Sequence, residues 1–323
     1  SDSNADFLLG ALGEAGVNTT HVRRVLGPSG TTVITVDATG ENTIVYSPGS
    51  NAQVTVDYVE SVRDALARSS VLGLCLESPI ETVTAAARMC HEAGVKVLLN
   101  DSPFTPSLPS ELVEASDILL VNEHEMVQLL GIDEPENDDL DGFDWNHALE
   151  AMRGFGFEQA IVTLGGDGSV VLDSTSATPI QRIAPVHVNA VDTTGCGDSF
   201  MGTVLAGLAS GMALSEAAEL ASYVSAYAAT GYGAQASYAM PRKSAKHSPN
   251  NGSEDAYRTL ARFLFSLLIR GVPHPTDVGC APFLGRSDIK KLADRMGGEF
   301  CYVEKIARIR RRYCGDACLR ADR

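Results

Sequence analysis

The sequence has no long hydrophobic run, no signal peptide and no regular cysteine framework. The densest apolar stretch, residues 263–269, is far too short to cross a membrane. The first residues are polar and include no basic segment ahead of an apolar one, so we expect no secretory leader. Seven irregularly spaced cysteines are typical of a reducing compartment. These absences predict a cytoplasmic protein with no membrane partner.

Basic residues are scarce over most of the chain. Residues 1–241 contain 8 Lys and Arg against 32 Asp and Glu, which argues against a nucleic-acid binder. Residues 242–323 reverse this balance, with 17 against 9. We interpret residues 242–323 as a basic C-terminal extension. A solvated tail is the simpler interpretation, and binding of this segment to nucleic acid or to a membrane surface stays open.

Short apolar segments alternate with helical patterns after an initial hairpin. Residues 32–36 and 42–46 flank a turn at Gly40 and predict a β-hairpin. Strands are predicted at residues 71–76, 95–99, 118–121, 160–164, 169–172 and 184–191, and helices at 80–93, 123–130 and 145–155. Repeated βα units of this kind predict an α/β fold with a mostly parallel sheet and helices on both of its faces.

The segment DTTGCGDSF, residues 192–200, lies between a predicted strand and an apolar helical pattern. Gly195, Cys196 and Gly197 therefore fall at a helix N-terminus, where free backbone N–H groups and the helix dipole favour an anion. A carboxylate at Asp198 is useful there if it handles a proton next to a phosphate. We interpret Cys196 as a small residue rather than a nucleophile, because no histidine is nearby in the sequence.

Further polar groups follow the other predicted strands, where ligands bind in doubly wound folds. They are Glu77, Asn100, Asp101, Asn122, Glu125 and the segment 163–168. Glycines in 163–168 would let a ligand approach the backbone, although a plain β-turn explains them equally well. Asn122 and Glu125 would hold a hydrated Mg²⁺, or would only cap the helix that begins at Glu123.

Residues 191–200 resemble the second signature of the ribokinase-like (PfkB-type) sugar kinases. Between residue 1 and Pro241 the likeness includes, in the order of that family, residues 40–42, 49–52, 76–79, 121–125, 163–165 and 233–237. The resemblance implies a kinase domain at 1–241 with a ribokinase-like three-layer α/β/α architecture. It further implies a mostly parallel central sheet and a small β lid, with the lid hairpin near 32–46.

The resemblance also implies a reaction and roles for individual residues. The γ-phosphate of ATP would pass to the 5-hydroxyl of D-ribose, with Asp198 as general base and Gly195, Cys196 and Gly197 as anion hole. Glu77 and Asp198 would bind the sugar, and Glu125 would organise Mg²⁺. The nucleotide would contact Asn122, Thr163, Leu164, Gly165, Gly166, Asp167, Gly168, Gly197 and Asp198. Asp192, Thr194, Gly233 and Ser237 would hold K⁺, and the lid strands would pair two subunits into a homodimer.

Two departures from the family leave other functions open. The family's first strands, with sugar-binding Asn and Asp residues and a Gly-Gly-Lys segment, would come before residue 1, so we expect an incomplete sugar site and sheet. Residues 242–323 replace the short closing helix that the family has there. A catalytically inactive, kinase-derived nucleotide-binding or regulatory protein is therefore an alternative. Another sugar or nucleoside kinase of the same family is a second alternative.

Overall fold

The structure is a computed structural model, and it describes residues 2–36, 42–135, 140 and 142–238. The predicted turn at Gly40 and the predicted basic extension at 242–323 lie outside the described residues, so both stay predictions.

Helices and strands alternate along most of the described chain. The helices are α1 (Ser3–Glu14), α2 (Val56–Ser61), α3 (Arg63–Leu66), α4 (Ile80–Glu92), α5 (Ser110–Glu114), α6 (Glu123–Leu130), α7 (Trp145–Phe155), α8 (Cys196–Ala209), α9 (Leu214–Ala228) and α10 (Ala234–Ser237). The strands are β1 (Thr31–Val36), β2 (Asn42–Ser47), β3 (Val71–Leu74), β4 (Lys96–Asn100), β5 (Ile118–Asn122), β6 (Gln159–Thr163), β7 (Ser169–Asp173) and β8 (Ile180–Ile183). Single 3₁₀ turns occupy Gly49–Gln53 and Gly165–Asp167.

The six later strands form one sheet in the order β3-β4-β5-β6-β7-β8. Strands β3 to β6 run parallel, and β7 and β8 are added in antiparallel orientation. Strands β1 and β2 form a separate antiparallel pair, with Val33 opposite Val45. The predicted mixture of a mostly parallel sheet and a small hairpin is thus observed.

The sheet is covered on both faces because successive strand residues point to opposite sides. On β4, Val97 and Leu99 pack into the cluster that includes α4, α5, α6 and α7, whereas Leu98 packs towards α8 and α9. The same alternation holds on β5, β6 and β7. The continuous apolar runs in the sequence therefore mark strands buried on both faces.

One predicted strand is wrong. Strand β8 ends at Ile183, and the predicted strand at 184–191 is irregular up to the start of α8. Pro185 has no N–H to donate to a strand ladder. The Val191 N–H instead donates to the carbonyl of Ala229 at 2.8 Å, beyond the end of α9. The segment is therefore a connection that carries the chain from the edge of the sheet to α8.

Within the described residues, every helix is too short or too polar to span a bilayer.

Candidate active site

The carboxyl ends of the parallel strands bring the predicted polar residues to one edge of the sheet. Glu77 follows β3, Asp101 follows β4, and Asn122 and Thr163 end β5 and β6. The side chain of Asp198, from the first turn of α8, lies close enough to raise the pKa of Glu77 electrostatically, although burial is the larger cause of that shift. The structure therefore brings the two carboxylates predicted to bind the sugar to the same edge of the sheet, within electrostatic range of each other.

Helix α8 begins in a strained backbone position that only glycine occupies easily. Gly195 is its N-cap, in the left-handed region with φ 80°. A Cβ on Gly195 would lie 2.6 Å from the hydroxyl of Tyr238 and 2.8 Å from the Cβ of Ala234. The same hydroxyl donates a hydrogen bond to the Gly195 carbonyl at 3.1 Å. Tyr238 and Gly195 therefore hold the start of α8 against α10.

The N-terminus of α8 presents backbone donors on both sides of Asp198. The Cys196 N–H donates to the Thr193 carbonyl at 3.1 Å, and the Ser199 N–H donates to the Gly195 carbonyl at 2.9 Å. The N–H groups of Gly197 and Asp198 lie between them in the first turn, where a helix supplies no carbonyl acceptors of its own. Of the three residues predicted to form the anion hole, Cys196 therefore uses its N–H within the loop, and the N–H groups of Gly197 and Asp198 are the ones that this turn leaves for an anion.

Burial raises the pKa of the Asp198 carboxyl, even though the residue as a whole is exposed. The carboxyl group meets solvent on its open side and protein on the other, so its charged form is less well hydrated than in water. Burial also raises the pKa of the Cys196 thiol, whose sulfur donates to the Ser225 carbonyl at 3.5 Å. A protonated, bonded thiol supports the interpretation of Cys196 as a small residue.

Asp192 links the two loops predicted to form a monovalent-cation site. One of its oxygens accepts the Gly233 N–H at 2.8 Å, and the other accepts the Thr194 N–H at 2.9 Å. The bond from Gly233, and then those from Thr194, lower the pKa of Asp192. Ser237 is buried in the same region, and its hydroxyl donates to the Ala234 carbonyl at 2.8 Å. Carboxylate, carbonyl and hydroxyl oxygens of this kind are ligands that suit K⁺.

Asn122 and Glu125 form a reciprocal capping box at the start of α6. Asn122 Oδ1 accepts the Glu125 N–H at 2.8 Å, and Glu125 Oε2 accepts the Asn122 N–H at 2.8 Å. The capping role is therefore present. It leaves Oε1 of Glu125 outside the box, and burial raises the pKa of this carboxyl. No cluster of three or more His, Cys, Asp or Glu side chains suited to a metal occurs in the described part of the chain. Mg²⁺ commonly needs only one or two carboxylates, with water and phosphate completing its shell.

The glycine-rich segment 163–168 connects the antiparallel strands β6 and β7 in a tight turn. The Leu164 N–H donates to the Gly168 carbonyl at 2.9 Å, and Gly168 lies against the Ile183 carbonyl with φ 92°. Gly165 and Gly166 face open space, with no atom within 4 Å of an added Cβ. The turn explains Gly168, and it also favours glycine at Gly165, where φ is 53°. Gly165 and Gly166 in addition leave room for a ligand to approach the main chain.

The structure adds two residues that the sequence motifs did not assign to the site, and it shows the surroundings of a third, Asp101, that the sequence had already indicated. Tyr46 and Tyr238 contact Glu77 and Gly195 across 31 and 43 residues of sequence, so no local pattern indicates them. Asp101 follows a predicted strand but is fully buried. Its Oδ1 accepts the Thr105 N–H at 3.0 Å, and its Oδ2 has no partner among the described residues. Burial, and to a smaller extent the charge of Glu125, raises the pKa of Asp101 to about 6.

Comparison with known proteins identifies what this architecture is similar to. The model of the pfkB family carbohydrate kinases matches residues 1–241. A ribokinase of Schizosaccharomyces pombe is 32% identical over 234 residues, 71% of each chain. A deoxyribokinase of Salmonella typhi is 30% identical over 241 residues, 73% of this chain and 75% of the relative. The crystal structure of a ribokinase from Thermotoga maritima has a TM-score of 0.64 and 26% identity, and covers 82% of this chain and 78% of its own. The predicted ribokinase-like fold class is confirmed.

Replacing Gly195 by alanine should displace the start of α8. The added methyl would overlap Tyr238 and Ala234 in a backbone conformation that disfavours side chains, so we expect a loss of about 1–3 kcal/mol in the free energy of unfolding. The matched control is Gly202→Ala, inside α8 with open space around the added Cβ, which should be neutral or stabilising. Urea unfolding of both variants measures the difference, and equal effects would contradict the argument.

Removing the charge at Asp101 should change how stability depends on pH. The pKa of this carboxyl is about 6 in the folded protein against an ordinary value of 3.8. The folded state therefore keeps its proton where the unfolded state has lost it, and ionisation costs stability as pH rises. Relative to Asp101→Asn, the wild type should lose up to about 3 kcal/mol between pH 4 and pH 7. The free energy of unfolding of both proteins is measured at several pH values between 4 and 7. The same dependence on pH in the wild type and in Asp101→Asn would refute a buried titrating carboxyl.

Proposed function

The chain belongs to the pfkB family of carbohydrate kinases, and we propose that it transfers the γ-phosphate of ATP to the 5-hydroxyl of D-ribose. The observation that carries the proposal is the position of Asp198, between the first-turn N–H groups of α8 and the carboxylate of Glu77. A phosphate at the helix N-terminus and a sugar held by Glu77 would meet at Asp198. The ribokinase of S. pombe supports ribose as the sugar.

In the proposed reaction, Asp198 takes the proton of the sugar's 5-hydroxyl as its oxygen attacks the γ-phosphorus. The bond between that phosphorus and the bridging oxygen of ADP breaks, and the products are ribose 5-phosphate, ADP and the proton held by Asp198. The raised pKa of Asp198 strengthens it as a base. The N–H groups of Gly197 and Asp198 would stabilise the negative charge on the phosphoryl group in transfer, because they are already oriented in the folded protein.

The remaining proposed contacts concern the nucleotide and its cations. Asn122 and the segment 163–168 would contact ATP, since Gly165 and Gly166 are open to a ligand. Mg²⁺, when bound with ATP, would neutralise phosphate charge, and Glu125 Oε1 would hold it directly or through water. K⁺ would lie among the oxygens of Asp192, Thr194, Gly233 and Ser237 and would stabilise the loop ahead of α8.

A second candidate substrate is 2-deoxy-D-ribose, because the similarity to a deoxyribokinase is nearly as high as that to ribokinases. The two sugars share the 5-hydroxyl, so Asp198 would perform the same step on either. The rate of ADP formation, measured separately with each sugar in the presence of Mg²⁺ and K⁺, distinguishes the two candidate substrates. ADP formation with neither sugar, together with retained ATP binding, would favour the inactive nucleotide-binding alternative.

Replacing Asp198 by asparagine should remove the base while keeping the size of the side chain. We expect kcat to fall by a factor of about 10² to 10⁴, the usual contribution of a general base. Stabilisation of the protein by ATP against thermal unfolding should persist. The control is Asp173→Asn, at the end of β7, where the carboxylate bonds to Gln159 and Thr175. Wild-type turnover in the Asp198 variant would exclude its role as the base.

We also propose that the lid strands pair two subunits. Val33 and Val45 are opposite each other on β1 and β2, and their exposed fractions are 61% and 62%. An exposed apolar pair on a two-stranded sheet favours association with a second apolar surface. Sedimentation at micromolar concentration should show a dimer, and Val33→Lys should shift it towards monomer. A wild-type protein that sediments only as monomer would contradict this proposal.

A further inference from the structure

We infer that the hydroxyl of Tyr46 is a positioning group that couples the lid hairpin to Glu77. The inference rests on the proposed function in one respect, since it takes Glu77 as a sugar-binding residue. Tyr46 lies on β2, one of the two lid strands, and its hydroxyl is 3.0 Å from the main-chain carbonyl oxygen of Glu77. A side chain of the lid thus contacts the segment that carries the sugar-binding carboxylate.

The direction of the hydrogen bonds around Tyr46 is fixed by its second partner. Asn51 Nδ2 donates to the Tyr46 hydroxyl oxygen at 2.9 Å. An amide NH₂ can only donate and a carbonyl can only accept, so the phenolic proton must point to the Glu77 carbonyl. Asn51, Tyr46 and Glu77 therefore form a chain of two hydrogen bonds in a defined order.

Asn51 lies at the base of the lid, where its N–H donates to the Pro48 carbonyl at 2.9 Å. It lies in the 3₁₀ turn Gly49–Gln53, and a Cβ on Gly49 would be 2.6 Å from the main chain of Ser29, two residues before β1. The Ser50 N–H donates to the Pro28 carbonyl at 3.0 Å. The two ends of the hairpin are therefore packed together, and a movement of the lid carries Asn51 and Tyr46 with it.

Ser29 is in turn tied to the beginning of α1. Asp2 accepts the Ser29 N–H at 2.7 Å and the Ser29 hydroxyl at 2.8 Å. These bonds anchor the base of the hairpin without any contact to Glu77. The hydrogen bond from Tyr46, by contrast, joins a lid strand directly to Glu77.

The segment after Glu77 is also bonded to Val54, the residue that follows the 3₁₀ turn Gly49–Gln53. The Thr82 hydroxyl, in the first turn of α4, donates to the Val54 carbonyl at 2.8 Å. Between these two attachments the chain from Glu77 to Thr82 has little freedom to shift. Loss of the Tyr46 bond would therefore loosen the main chain at Glu77 and leave α4 in place.

The expected consequence is a change in sugar affinity. If only a fraction of molecules holds Glu77 in the binding orientation, the apparent affinity for the sugar falls by that fraction. One neutral hydrogen bond changes such an equilibrium by a factor of about three to ten. Tyr46→Phe should therefore raise KM for the sugar by about three- to tenfold. It should leave kcat and KM for ATP close to their wild-type values.

The matched control is Tyr58→Phe. The hydroxyl of Tyr58, in α2, also donates to a main-chain carbonyl, that of His21. This variant removes the same chemical group and the same type of bond without touching the chain to Glu77. We expect its KM for the sugar to equal that of the wild type. An equal rise in both variants would overturn the inference.

A double-mutant cycle tests whether Asn51 acts through Tyr46. Asn51→Ala alone should raise KM for the sugar by less than Tyr46→Phe, and the double variant should resemble Tyr46→Phe. Additive effects would show that the two residues act independently. A fall in kcat without a change in KM would also overturn the inference, because it would place Tyr46 in the chemical step.

Hydrogen exchange separates this inference from the proposed function. Without any substrate, the amides of β2, Glu77 and Ser78 should exchange faster in Tyr46→Phe than in Tyr58→Phe. If the wild type phosphorylates no sugar, the proposed function fails, and the exchange experiment still tests the coupling. Unchanged exchange at Glu77 and Ser78 would refute the coupling even in an active enzyme.

Discussion

The site depends on one carboxylate that accepts two backbone N–H groups from distant parts of the chain. Asp192 accepts the N–H of Thr194, two residues before α8, and that of Gly233, directly before α10. These bonds fix where α8 begins, and Tyr238 then closes on Gly195 from the α10 side. The hydrogen bonds of Asp192 and Tyr238 therefore give Asp198 and the first-turn N–H groups of α8 their defined positions.

The edge of the sheet carries carboxylates whose charges are poorly hydrated. Burial is the largest cause of the raised pKa of each of Glu77, Asp101, Glu125 and Asp198. Residues 1–241 have four times as many acidic as basic side chains. A polyanionic nucleotide would meet an unfavourable field here, and the backbone donors of one helix supply only a partial positive charge. The acidic character of the site is therefore the physical reason to expect bound cations as part of the working enzyme.

Sequence reasoning succeeded where the deciding interactions are local. Helix α6 has the predicted bounds because Asn122 caps its start and Gly131, with φ 64°, ends it. It failed at 184–191, where β-branched residues suggested a strand but Pro185 and the bond to Ala229 decide the path. Helix α9 went unnoticed because its contact with α8 rests on small residues, such as Ala217 beside Gly207, which have weak hydrophobic periodicity. Asp101 was noticed as polar, but its full burial depends on tertiary packing.

The two ends of the proposed site differ in how far sequence can predict them. The phosphate end is made of backbone N–H groups, and their placement requires glycine at Gly195, so a short motif indicates the chemistry. The sugar end combines Glu77 with a lid that reaches it through Tyr46, and only the folded chain brings them together. Ribose and 2-deoxyribose differ by one hydroxyl, and discrimination between them requires a polar group that is left unpaired by the wrong sugar. Phosphoryl transfer is therefore predictable from this sequence, whereas in the proposed site the choice of sugar would depend on tertiary contacts around Glu77.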